Sequence, residues 1–188
     1  VEVLIAPDFA PEALEILQSK KNRILLRQKE AIDARWSYRS MLGGVLAQET
    51  DRAVETTAEM KPVTKVAPTA EELTDLVFAT KLVKHSKSNA IVLSKGGQLI
   101  ASGVGQTSRV DALKQAIEKA RHFGFDLKGA VLASDAFFPF DDCVTLAAEA
   151  GITAIAQPGG SVRDADSIAA ADRLGVAMVM TGVRHFKH

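Results

Sequence analysis

Residues 130–142 have the sequence AVLASDAFFPFDD, an apolar run from Ala130 to Ala133 followed by a loop with three phenylalanines, a proline and three carboxylates. The apolar run predicts a buried β-strand, so the loop from Ser134 to Asp142 begins where that strand ends. Clustered aromatic side chains at a strand end indicate either a buried plug or the wall of a pocket for a flat ligand. Both interpretations stay open here, because aromatic clusters belong mostly to protein cores.

The sequence around this strand predicts alternating helices and strands from about Pro68 onward. Thr69 and Glu72 have the spacing of a capping box at a helix start, and two apolar runs joined across Gly96 and Gly97 indicate a hairpin. The order of elements is α-β-β-α-β-α-β-α-β, which combines an antiparallel hairpin with crossover units that favour parallel strands. The predicted fold class is therefore α/β, a three-layer αβα unit with a mixed sheet.

The N-terminal third has weaker signals. Residues 1–26 have the pattern of a short β-α-β unit, whereas residues 36–46 fit no element clearly. Residues 48–65 are polar and rich in threonine, which is typical of a linker or a long excursion. We therefore assign residues 1–67 to a connecting segment and residues 68–188 to the α/β unit.

Composition and charge exclude several classes of protein. Hydrophobic residues make up 47% of the 188 residues, which is enough for a real core. Lys+Arg 23 balance Asp+Glu 23, so the net charge gives no sign of a nucleic-acid or membrane partner. Cys143 is the single cysteine, which rules out an internal disulfide and a cysteine zinc site. We expect a soluble, cytoplasmic protein and, because the chain begins at Val1 without methionine, a piece of a longer one.

Ligands of α/β sheets collect beyond the carboxyl ends of the parallel strands. Three loops should meet at that edge, residues 134–142, 157–164 and 182–188, and residues 103–109 are expected beside them. Gly159-Gly160-Ser161 precedes a helix, so its backbone amides suit a phosphate or carboxylate, or the segment is simply a tight turn.

Charged side chains add possible ligand contacts. Arg109, Arg163 and Arg184 each offer a fork for an anion, although an arginine near a helix end is usually solvated or salt-bridged. Asp142 most simply caps its helix. The histidines lack metal-ligand spacing and are expected mostly at the surface: His85, His122, His185 and His188. These residues predict a small-molecule site with an anion preference and a flat apolar wall, and without a nucleophile.

Five ordered motifs resemble the family of bifunctional purine biosynthesis proteins, which join a formyltransferase to an inosine monophosphate (IMP) cyclohydrolase. They are KSNAIV at 87–92, GVGQTSR at 103–109, SDAFFPF at 134–140, QPGGS at 157–161 and RHFKH at 184–188. The resemblance implies the carboxyl-terminal part of the formyltransferase domain, with its second unit of cytidine-deaminase-like fold. The zinc signature of deaminases is missing from this sequence, so neither deaminase chemistry nor zinc is implied.

The family transfers a formyl group from formyl-tetrahydrofolate to the amine of aminoimidazole carboxamide ribotide (AICAR). Its catalytic Lys-His pair belongs to a first formyltransferase unit that this chain lacks, and Lys84-His85 is not that pair. The resemblance therefore implies a fragment that binds ligands but is inactive without that unit, the cyclohydrolase domain and a homodimer partner. The alternative is a stand-alone, non-catalytic module that binds a nucleotide or folate.

The resemblance also implies three groups of site residues. Those expected to contact the ribotide, at its carboxamide, base and phosphate in turn, are Asn89, Phe137 and Arg184. Those expected to border the folate are Ser108, Arg109, Val110, Pro139, Phe140 and Asp142. Those expected around a potassium ion are Val83, Ser86, Ser88 and Asp135. Phe138 is expected to remain in the core.

Overall fold

The computed structural model describes residues 1–30 and 34–187. His188, the last residue of the RHFKH motif, lies outside the described residues. The chain divides into two compact units, Val1–Thr50 and Asp51–His188. In the described part of the chain, no helix is long and apolar enough to cross a membrane.

The first unit confirms the predicted β-α-β opening. Strand β1 (Val3–Ala6) pairs in parallel with β2 (Ile24–Arg27), and helix α1 (Pro11–Gln18) connects them. Strands β3 (Trp36–Met41) and β4 (Gly44–Glu49) form an antiparallel hairpin in the region that fits no element from sequence alone. All six residues of β3 and every residue of β4 but one are exposed.

The second unit contains a mixed sheet whose order, in its described residues 51–187, is β5-β10-β9-β8-β6-β7. Its elements in chain order are β5 (Lys61–Pro62), α2 (Ala70–His85), β6 (Ile91–Lys95), β7 (Gln98–Gly103), α3 (Arg109–His122), β8 (Val131–Ser134), α4 (Asp142–Ala150), β9 (Ala154–Gln157), α5 (Asp164–Leu174) and β10 (Ala177–Met180). Strands β8, β9 and β10 run parallel, whereas β6 is antiparallel to both β7 and β8. This arrangement confirms the predicted α/β class with a mixed sheet.

Alternating side chains of the strands fill two cores, one on each face of the sheet. Leu132 and Ile155 point toward α3, α4 and α5, while Val131 and Ala156 pack against α2. Because successive strand residues face opposite sides, a run of four buried residues such as β8 requires helices on both faces. The unit therefore has three layers, as predicted.

Two predicted local signals are formed as expected. The Thr69 hydroxyl accepts from the Glu72 amide at 3.2 Å and the Glu72 carboxylate accepts from the Thr69 amide at 2.8 Å, which completes the capping box of α2. Gly96 and Gly97 turn the hairpin with φ of 60° and 71°. Both amides donate to the Asp75 carboxylate at 2.7 Å, so helix α2 holds the hairpin turn in place.

The boundary between the units differs from the predicted one. We expected the second unit to begin near residue 68, but residues 51–67 contribute β5, which pairs with β10. Beside it, the Val63 amide donates to the Met178 carbonyl at 3.0 Å, and Met60 is buried in the core. A two-residue strand has no alternating pattern of its own, so tertiary pairing creates an element that a linker composition conceals. The assignment of residues 1–67 to a connecting segment stays a prediction.

Candidate functional site

Hydrogen bonds join all four expected loops beyond the carboxyl end of β8, and the loop at 157–164 is included because the Gly182 amide donates to the Pro158 carbonyl at 3.0 Å. The His185 amide donates to the Asp135 carbonyl at 2.9 Å, which joins the C-terminal tail to the aromatic loop. The Asn89 amide donates to the Gln106 carbonyl at 3.3 Å, which brings in the segment after β7. Behind them, the Phe138 amide donates to the side chain of Gln157 at 2.9 Å, so β9 supports the loop from within.

A cavity of about 340 Å³ opens between these loops. Its lining residues are Asn89, Thr107, Ser108, Arg109, Ala136, Phe137, Pro139, Arg184 and Phe186. Six of them are predicted site residues. The three that the sequence prediction missed, Thr107, Ala136 and Phe186, belong to the same motifs as predicted residues. The volume is near the lower end of the roughly 300–1,000 Å³ of ligand pockets, which suits one small ligand rather than two.

Three residues expected at the folate do not line the cavity. The Phe140 side chain is half exposed, and the Arg163 guanidinium lies 5.1 Å from the centre of its ring. Asp142 does not cap α4 as expected, because the N-cap residue is Asp141 and the Asp142 carboxylate accepts from the Cys143 amide at 2.7 Å within the first turn. Val110 packs against the core. Their folate roles therefore stay predictions that refer to a region outside this cavity. Phe138 is fully buried, as predicted.

Arg109 is part of a buried network and is not the open anion fork that its sequence position suggests. Its guanidinium pairs with Asp135, whose side chain is fully buried, and also donates to the Asn89 amide oxygen at 3.0 Å. The Asn89 amide nitrogen donates in turn to the Gln106 carbonyl at 3.0 Å. Arg109 and Gln106 thereby fix which end of the Asn89 amide faces each side of the pocket.

Arg184 is the arginine that the pocket presents to solvent. Its side chain is exposed, and its guanidinium lies 4.1 Å from the centre of the Phe186 ring. Within the described residues it has no carboxylate partner. Arg163, by contrast, lies 3.4 Å from the Asp166 carboxylate. Of the three candidate arginines, Arg184 has the geometry for an anionic ligand.

The glycine segment before α5 forms a tight turn and not an anion site. The Gly160 amide donates to the Asp164 carboxylate at 2.7 Å, so a side chain of the protein occupies the place of an anion. A β-carbon on Gly159 would lie 2.8 Å from the Met180 sulfur, so the backbone can pass this close to Met180 because residue 159 is a glycine. Asp164 and Asp166 also make the start of α5 acidic, which disfavours a second anion.

The residues expected around potassium offer oxygen atoms as ligands. Asp135 Oδ2 is buried and has no hydrogen-bond partner in the described part of the chain, so one anionic oxygen could still serve a cation. The Ser86 hydroxyl donates to the Leu82 carbonyl at 3.0 Å, and the Ser88 hydroxyl accepts from the Lys187 amide at 2.9 Å. Val83 is buried and offers only its carbonyl oxygen. Oxygen donors of this kind suit a hard cation.

His85 and His122 are exposed, which agrees with the expectation that the histidines lie mostly at the surface, and His185 is the exception among the described histidines. Its ring is buried, with Nδ1 2.5 Å from Asp51 Oδ2 and Nε2 2.9 Å from Glu55 Oε1. Lys84 is also buried and donates to the Ala53 carbonyl at 2.5 Å. The two carboxylates lie at opposite ring nitrogens and do not converge on one point. Within the described residues, no group of three or more His, Cys, Asp or Glu side chains could hold a metal ion.

Cys143 is not a nucleophile at neutral pH. Burial, and to a smaller extent the neighbouring Asp142 carboxylate, raise the pKa of its thiol to about 12. The side chain is fully buried at the start of α4. It therefore remains a protonated thiol that packs as a small hydrophobic group.

Comparison with known proteins gives consistent family matches. A model of the AICARFT/IMPCHase bienzyme family matches residues 1–119. The bifunctional purine biosynthesis protein PurH of Bacteroides thetaiotaomicron is 64% identical over 187 residues, which are 100% of this chain and 37% of that protein. PurH proteins of Thermoanaerobacter and Aquifex aeolicus are 54% and 51% identical over the whole chain. The chain thus spans little more than a third of the length of these relatives.

Among solved structures, the chain is similar to dCMP deaminase from the cyanophage S-TIM5 in complex with dCMP and dUMP. That likeness has a TM-score of 0.42 and 19% identity and covers 59% of this chain and 98% of the deaminase. A bifunctional deaminase/reductase from Thermotoga maritima gives a TM-score of 0.41 at 25% identity, with 56% and 34% covered. Scores this low support no functional comparison, so the fold assignment rests on the sheet order described above.

Proposed function

This chain belongs to the AICARFT/IMPCHase bienzyme family, and we propose on that premise that it supplies the ribotide-binding part of a formyltransferase site. The complete enzyme would transfer a formyl group from formyl-tetrahydrofolate to the amine of AICAR in purine biosynthesis, and a separate domain would act as IMP cyclohydrolase. The observation that supports this most directly is the pocket, which combines an exposed guanidinium, aromatic walls and an oriented amide.

Three residues are proposed to bind the ribotide. Arg184 holds the phosphate, because its guanidinium is exposed at the pocket and the Phe186 ring supports one face of it. Phe137 contacts the base through its backbone. Asn89 faces the carboxamide, and its own amide orientation is fixed by the bonds to Arg109 and Gln106.

The folate is proposed to bind outside the ribotide cavity. Ser108 and Pro139 lie at the cavity wall, and the exposed ring of Phe140 offers a surface for the flat pterin next to it. Val110 and Asp142 complete this proposed border. Arg109 would contribute by holding the loops, since its guanidinium is committed to Asp135 and Asn89.

A potassium ion is proposed at the base of the aromatic loop, held by the free oxygen of Asp135 with carbonyl or hydroxyl oxygens of Val83, Ser86 and Ser88. Such an ion would order the loops electrostatically and take no part in bond making. Asp135 is already paired with Arg109, so we expect the loop to keep its shape in the apo form.

Formyl transfer also needs a general base and a partner for the developing oxyanion. Lys84 does not provide them, because its ammonium is buried and bonded to the Ala53 carbonyl. We propose that the missing formyltransferase unit supplies the catalytic Lys-His pair in a homodimeric enzyme. This chain would contribute by orienting the reactants, an effect worth up to about 7–11 kcal/mol in well-aligned pairs.

Addition of the missing formyltransferase unit in trans tests the proposal. Each part alone should show no formyl transfer to AICAR, and the mixture should regain turnover. A mixture made with Arg184→Ala should need a higher AICAR concentration. Continued inactivity of the mixture, together with intact AICAR binding by this chain, would favour the stand-alone binding module instead.

A further inference from the structure

The C-terminal tail after β10 alternates between the pocket and the body of the domain. Arg184 and Phe186 line the cavity. His185 and Lys187 bond in the other direction, through the His185 amide to Asp135 O at 2.9 Å and the Lys187 amide to Ser88 Oγ at 2.9 Å. In an extended chain successive side chains point to opposite sides, so the hold on residue 185 sets the direction of its two neighbours.

The His185 ring lies between two carboxylates. Nδ1 is 2.5 Å from Asp51 Oδ2, and Nε2 is 2.9 Å from Glu55 Oε1, a contact close enough for an ion pair but poorly aligned for a hydrogen bond. A neutral imidazole would turn a lone pair toward one of these oxygens, whereas a protonated ring presents N–H groups to both. In either form, the two ring nitrogens contact carboxylates of residues 51 and 55.

The same cluster includes the buried ammonium group of Lys84. Lys84 Nζ donates to the Ala53 carbonyl at 2.5 Å and lies 3.9 Å from Asp51 Oδ1. Residues 51–55 are thus held against the end of α2 and against the tail together. Removal of one partner from a buried set of charges leaves another uncompensated, so the cluster holds the tail firmly only when it is complete.

We propose that His185 is a positioning residue of the pocket. Its ring is held between Asp51 and Glu55, and it thereby fixes the tail so that Arg184 and Phe186 face the ligand. The proposal deepens the function proposed above and rests on it only for the identity of the ligand. A tail that shifts by one residue would turn Arg184 away from the pocket and point His185 into it. The expected deficit therefore concerns the phosphate of the ligand and not its base.

A double-mutant cycle with AICAR as the probe separates positioning from general damage. His185→Gln in the full chain should weaken AICAR binding by about 10-fold, the scale of a lost charge-assisted contact. In the Arg184→Ala background the same change should have less than about a twofold effect, because the phosphate contact is already gone. His122→Gln, on the exposed surface of α3, is the matched control and should leave binding unchanged. Equal losses in both backgrounds would overturn the proposal.

A second measurement does not depend on any ligand. Nitrogen-15 NMR of the wild-type chain should show the Arg184 and Phe186 amides to be as restricted in motion as those of the sheet, and Asp51→Asn should raise their mobility. Unchanged mobility in Asp51→Asn would overturn the positioning role even if AICAR binds. If the wild-type chain fails to bind AICAR while these NMR results hold, the proposed function fails and the role of His185 stands.

Discussion

The loops after β8 and β9 are similar in sequence and position, but only the first turns side chains toward the cavity. Each follows a buried parallel strand, contains a proline and leads into a helix that begins with aspartate. The loop at 134–142 turns Phe137 and Pro139 toward an open cavity. The loop at 157–164 closes on itself, because the Asp164 carboxylate already accepts from the Gly160 amide.

The difference shows that a favourable position in the sheet does not by itself make a binding site. In the first loop, the Asp135 carboxylate pairs with the buried guanidinium of Arg109. The side of the loop that lines the cavity therefore stays available for a ligand. In the second loop, the Asp164 carboxylate accepts from the Gly160 amide, which would otherwise be free to bind an anion. The partner of the carboxylate therefore decides which loop can accept a ligand.

The largest expected effect comes from breaking the pair beneath the first loop. Asp135→Ala should lower the free energy of unfolding by about 3–5 kcal/mol, because it leaves the buried Arg109 charge without a partner. Urea denaturation measures the loss. Asp126→Ala removes an exposed carboxylate 3.7 Å from Lys95 and should stay within about 0.5 kcal/mol of the wild type. A loss below about 1 kcal/mol for Asp135→Ala would show that the pair does not support the loop.

Helix α4, which follows the first loop, should protect the buried thiol of Cys143 from alkylation. A rise of the Cys143 pKa from 9.0 to about 12 lowers the thiolate fraction, so alkylation by iodoacetamide at pH 8 should be about 1,000-fold slower than in the unfolded chain. The unfolded thiol ionises first, so this contribution to stability is complete below about pH 9 and is lost as the pH rises toward 12. Rapid alkylation of the folded chain would contradict the burial of this helix start.

Arginine substitutions compare the two loops at the level of binding. Arg184→Ala should weaken AICAR binding by about 10-fold or more, at least 1.4 kcal/mol, and calorimetric titration measures the change. Arg163→Ala on the second loop is the matched control, since its guanidinium stacks on Phe140 and pairs with Asp166. Equal losses for the two variants would mean that both loops contact the phosphate.

The smallest effect is expected inside the second loop. Asp164→Ala removes the acceptor of the Gly160 amide and should cost about 1 kcal/mol of stability, as the loss of a helix-start acceptor usually does. AICAR binding, measured by the same titration, should change by less than about twofold. A tenfold change in either direction would place the second loop in the site.

The sequence predicts the parts of the fold that depend on local chemistry. The capping box at Thr69 and the glycine pair at Gly96 and Gly97 correctly mark α2 and the hairpin, because their signals lie within a few residues. The β3–β4 hairpin is missed because its strands are exposed on nearly every residue, which removes the alternation that identifies a half-buried strand. Strand β5 exists only through its pairing with β10.

The candidate site likewise contains residues that local motifs predict and residues that they do not. Most of the pocket follows from motifs that end at strands or begin helices. The buried partners do not, because Arg109 and Asp135 lie 26 residues apart and His185 and Asp51 lie 134 apart. No local pattern distinguishes a histidine held between two carboxylates from one at the surface, so the sequence does not single out His185 as the buried one.

The central claim is that the cavity beside the first loop binds a ribotide through its phosphate. Titration of the wild-type chain with AICAR and with the corresponding riboside, which lacks the phosphate, tests this directly. The ribotide should bind at least about 10-fold more tightly than the riboside, as expected for the contribution of one charge-assisted contact. Equal affinity for the two compounds, or binding of neither, would contradict the assignment of this pocket.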